Sequence, residues 1–210
     1  MAKAVTPSDT IITEGQTVKF DDLLLAGLRK SGLPREAVQK VYAEQGEVLV
    51  AELIAVFRKR VEMIADIIVR IVPVNRARAP EKMLDATGRR QYVDKNVVKT
   101  MPRGAGNDAE MHFFKPRPEE YTRPGFMSDA DLEKALDLRG LKAADPYSLA
   151  AVNEADPAFA DERPNCTHWK NAAGKWCYAA FRRWYGERGV LVYRDGGDWG
   201  DYWWFAGLRK

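Results

Sequence analysis

Cys166, His168 and Cys177 are the residues of this chain whose types and spacing come nearest to chemistry. A thiol beside an imidazole can serve as nucleophile and base, and in an extended strand Cys166 and His168 would share one face because they are two residues apart. The same three side chains spell C-x-H-x8-C, three soft ligands without a fourth at zinc spacing. His112 is the only other histidine, and nothing in the sequence brings it near. No metal and no cofactor is therefore expected, and Cys166 with His168 stands as the catalytic candidate. Asp195, Asp198 and Asp201 recur every third residue in a glycine-rich stretch, but the order of a calcium loop and its closing Glu are missing, so turn formation explains them. There is no phosphate-binding glycine loop, nucleophile elbow or dinucleotide fingerprint.

The second chemical feature is charge. Residues 70–103 carry nine Lys and Arg against three acids, whereas 104–164 carry seven against thirteen. Arg76, Arg78, Lys82, Arg89, Arg90, Lys95, Lys99 and Arg103 could bind a polyanion, arginine's planar fork being suited to phosphate. Pairing between the basic and acidic segments explains the same pattern with no outside partner. The third feature is the aromatic C-terminus, GDWGDYWWFAG from Gly197. Exposed, these rings with Arg182, Arg183, Arg188 and Arg194 would make a stacking platform. Buried, Trp203, Trp204, Phe205, Phe181, Tyr178 and Tyr193 would cement a small sheet, since a buried ring contributes about 2–3 kcal/mol. The buried arrangement is the expectation.

Elements must position these residues. Hydrophobic residues make up 46% and charged residues 30% of the 210, an ordinary globular composition. The N-terminus lacks a signal-type apolar segment, no run approaches a membrane span, and two cysteines are too few for a disulfide scaffold; a cytoplasmic protein that avoids membranes is expected. Residues 1–18 read as a flexible N-terminus and 19–72 as a helical region. In that region Phe20–Lys30 forms a first helix, PREAVQKVYAEQ a second ending at Gly46, and Glu47 to about Ile71 a third. Val50, Ile54, Phe57, Val61, Ile64 and Ile68 repeat at alternating steps of four and three along the third helix, the spacing of a core stripe or a self-association seam. The β-branched run Ile67–Val74 leaves open a hand-over from helix to strand.

Residues 73–210 read as an α+β unit. Ser128 is the N-cap of a helix reaching Arg139, with Asp131 at its third position. Strands at Trp176–Trp184, Val190–Arg194 and Tyr202–Ala206 would close the chain as a three-stranded antiparallel meander. Neither face of the first is cleanly polar, which predicts cover on both sides. The fold class is thus α+β, a long heptad-patterned helix followed by a mixed unit. The functional expectation is a small interaction or scaffolding protein that associates with itself through 50–71 or with a protein partner. A nucleic-acid binder using 76–103 and an enzyme at Cys166 and His168 are the alternatives.

Overall fold

The fold, obtained as a computed structural model, is described for residues 12–62, 64, 67–194 and 197–210, the Lys59 side chain excepted. Asp195, Gly196 and most of the N-terminal tail therefore lie outside the described residues. The chain divides into two units, 1–64 and 65–210. Among the described residues no helix is long and apolar enough to cross a membrane.

The first unit is a helical hairpin. Helix α1, Glu14–Lys30, starts earlier than its apolar pattern suggests because Thr13 and Gln16 form a reciprocal capping box. Helix α2, Arg35–Glu62, runs straight through Gly46. A helical glycine costs only about 1 kcal/mol against alanine, too little to break 28 residues of otherwise helical sequence. Phe20 and Phe57 meet across the hairpin with ring centroids 5.0 Å apart. No described residue of this unit is buried.

The helix does not reach Ile71. Strand β1 occupies Ile67–Pro73, because β-branched side chains favour the pleated surface. Ile68, placed by its spacing on the helical seam, is instead 1% exposed in the core of the second unit. That unit continues with α3 (Pro80–Ala86), β2 (Arg90–Val93), α4 (Lys95–Val98), β3 (Asp108–Phe114), β4 (Phe126–Met127), α5 (Asp129–Leu138) and β5 (Leu141–Ala143). It ends with α6 (Pro146–Ala155), α7 (Phe159–Glu162), β6 (Asn165–Lys170), β7 (Trp176–Trp184), β8 (Glu187–Arg194), β9 (Trp199–Gly200) and β10 (Trp204–Arg209).

The main sheet runs β1-β3-β10-β6-β7-β8-β2, with β5 also pairing β10, and β4 pairs β9 separately. The antiparallel meander is β6-β7-β8. The last strand does not extend it past β8. Instead β10 lies between β3 and β6, antiparallel to the former and parallel to the latter. Ala206 and Gly207 make this central place accessible: a side chain at Gly207 would press on Leu141 and Leu136. Both sheet faces are covered. On one, Met111, Phe113, Phe181 and Val192 pack with α3, α4, α6 and α7; on the other, Phe114, Cys166 and Phe205 pack with Leu132 and Leu136 of α5 and with Trp199 and Trp203.

Candidate functional site

Strand β6 places Cys166 and His168 on the face covered by α5. Ser128 caps that helix and its hydroxyl accepts the Asp131 N–H. Asp129 and Glu133 consequently project from its first turns onto His168, whose Nδ1 lies 2.5 Å from Asp129 Oδ1 and whose Nε2 lies 2.7 Å from Glu133 Oε1. Trp199 Nε1 donates to the same Asp129 oxygen, and the Trp176 ring stacks on the imidazole at 4.4 Å. Burial opposes a charge on His168, but the hydrogen bonds and negative charges of Asp129 and Glu133 outweigh it and raise the pKa above the ordinary imidazole value. An imidazolium donating from both nitrogens has no lone pair to offer a thiol or a metal. Cys166, wholly buried, directs its Sγ toward the Trp204 carbonyl. Cys177 belongs to the core on the opposite face, so the sheet separates the three members of C-x-H-x8-C. Among the described residues no group of three His, Cys, Asp or Glu could hold a metal. His168 is an ionic strut tying β6 to α5.

The basic segment is largely consumed within the fold. Arg76 binds Asp145 at 2.7 Å and Ser148 Oγ at 2.9 Å, and donates to the carbonyls of Gly106 and Arg103. Arg78 pairs with Glu154, Lys82 with Asp85, and Arg90 with both oxygens of Glu187. Arg89 is buried, donates to Pro157 O, and has its pKa lowered chiefly by burial. Arg103 donates to the carbonyls of Arg76 and Arg78. Lys95 and Lys99 alone among these eight stand in solvent without a polar partner among the described residues. Six of these eight cations thus have a carbonyl or carboxylate partner within the fold.

The rings divide similarly. Trp199, Trp203, Phe205 and Phe181 are buried, and Trp199 meets His168, Tyr178, Trp203 and Phe205 edge-on. Tyr178 and Trp204 are half-buried. Tyr193 is 37% exposed and touches only Tyr178 among the described rings, so it cements little.

Two surfaces remain. The first is the α2 stripe: Val50, Ile54, Phe57 and Val61 are 42–54% exposed and Ile64 is 85% exposed. The second is a cleft of about 530 Å³ in the C-terminal unit, on the α6 face of the sheet. It opens where the sheet forks. Strand β6 pairs β10 only at Trp204 and Phe205, after which β5 takes its place beside Gly207–Arg209. Thr167 Oγ1 donates to Ala144 O across the fork. Because β5 and β6 run antiparallel, Lys142 and Trp169 come level two residues further on, with Leu208 next to Lys142 on β10. The Arg76–Asp145 pair and the Pro102–Ala105 loop form the opposite wall. Gly104 fits there only as glycine: it has φ +69°, and a Cβ would strike both members of that ion pair. Trp169 is buried, yet its indole Nε1 has no hydrogen-bond partner among the described residues. Sequence reasoning passed over Lys142, Trp169 and Leu208, since three single residues on three strands leave no local pattern. The orphaned indole is visible only in the folded chain. Comparison of the chain with protein-family models, curated proteins and solved structures found no match.

Proposed function

We propose that this protein is an interaction module that assembles with a second copy of itself through its N-terminal helical hairpin. One observation carries the proposal: an apolar stripe along α2 stands half-exposed, and no described residue of α1 or α2 is buried. Two helices without a buried side chain have little to hold them, because isolated helices draw most of their stability from packing an apolar face. A continuous exposed stripe of this kind marks an interaction surface. Its 3.5-residue spacing suits helix-on-helix packing.

The stripe is also self-complementary, as a two-fold interface requires. In an antiparallel pairing centred between Ala55 and Val56, Val50 of one copy meets Val61 of the other and Ile54 meets Phe57. Light scattering tests this. The expected mass is twice the 23.7 kDa of the chain, falling to a single chain in Ile54→Asp while the near-ultraviolet signal of the buried tryptophans persists. A monomeric wild type overturns the proposal.

A further inference from the structure

The cleft at the sheet fork points to a second activity, independent of the hairpin. We propose that it binds a small organic carboxylate with an apolar body, the carboxylate meeting Lys142 and Trp169 and the body lying against Leu208 and Ala144.

Four features select that chemistry. The volume, about 530 Å³, is that of a small-molecule site. Trp169 lines the cleft, and its buried indole Nε1 has no acceptor among the described residues. Native folds rarely leave such a group unsatisfied, and an acceptor brought by a ligand recovers the lost hydrogen bond. The charges are the third feature. Arg76 is neutralised by Asp145 and Arg209 by Glu110, whereas Lys142 is exposed and has no carboxylate partner among the described residues. A donor and an unpaired cation, level on adjacent strands, call for an anionic acceptor, and a carboxylate supplies two oxygens. Fourth, Ala144 and Leu208 pack in the core on this same face, so the rest of the ligand is apolar.

The Gly104 loop keeps the wall fixed, since Arg76 binds it to the first turn of α6.

The test is titration of the ¹⁵N-labelled full chain with phenylacetate, indole-3-acetate and 4-methylpentanoate, with phenylacetamide and phenethylamine as controls. The readout is the Trp169 indole N–H resonance, assigned through its loss in Trp169→Phe. At least one acid should shift it saturably. The neutral amide and the amine should bind on the order of tenfold more weakly, and Lys142→Gln should weaken the acid by a similar factor, about the effect of one charge partner. An otherwise unchanged spectrum shows that this exposed substitution leaves the fold intact. The proposal is overturned if none of the acids gives a saturable shift, if amide or amine binds as tightly, or if Lys142→Gln leaves the affinity unaltered.

Discussion

Phe113, Phe181 and Leu149 in the C-terminal unit are fully buried, while Ile54, Phe57 and Val61 in the N-terminal hairpin stay at least 42% exposed. These are the same kinds of side chain, and what separates them is the layering. The sheet has a helical layer on each face, so a strand residue pointing either way meets a neighbour. The hairpin is one layer thick, and none of its described residues is buried. The sheet unit contains its own core; the hairpin has half of one.

Matched truncations break this comparison most directly. Phe113→Ala should cost about 3–5 kcal/mol, the usual result of emptying a filled core site, read as a shift of the urea midpoint followed at the buried tryptophans. Phe57→Ala should leave that midpoint within about 0.5 kcal/mol and weaken self-association instead. Equal shifts would mean that the units share one core.

The His168 strut gives the next largest effect and sharpens the account of the sheet unit. Removing the cation leaves Asp129 and Glu133 facing each other, so His168→Gln should cost about 2 kcal/mol at pH 6. The sign follows from its raised pKa. The stabilisation is complete below the ordinary imidazole pKa and disappears as pH rises through the folded-state value. His112 works the other way. Burial first, and Arg209 with it, lower its pKa against the pull of Glu110. Its contribution is present above the ordinary value and disappears as pH falls through the depressed one. Stability against pH should therefore lose its alkaline-side decline in His168→Gln and soften its acid-side decline in His112→Gln. A pH profile unchanged by His168→Gln would refute the strut.

The smallest effect lies at the β7–β8 turn. Tyr185 has φ +46° and precedes Gly186 at +82°, a two-residue turn with both central residues left-handed. Tyr185→Asn should stabilise the sheet unit by about 0.5–1 kcal/mol, seen as a higher melting temperature of the tryptophan signal alone.

What was legible in the sequence was local. The Ser128 cap, the strands at Trp176–Trp184 and Val190–Arg194 and the cover on both faces followed from spacing and side-chain type, each within a few residues. Non-local pairing was hidden. The terminal strand joins β3 and β6, about 90 and 40 residues upstream, and no turn residue announces such a partner. The helical period alone does not mark the end of α2, because isoleucines at 64, 68 and 71 continue it by coincidence; the β-branched run signals the hand-over, and strand preference prevails from Ile67. The basic segment looked like a surface because its partners, Asp145, Glu154 and Glu187, are distant in sequence. The cleft was illegible for the same reason: a fork between strands exists only once they have paired.

Hydrogen exchange at two concentrations tests the central claim, that the hairpin draws its fold from assembly and the sheet from itself. Amides of Arg35–Glu62 should exchange markedly faster on hundredfold dilution, while those of β3, β7 and β10 keep their protection unchanged. Protection of α2 that is indifferent to dilution would contradict the account.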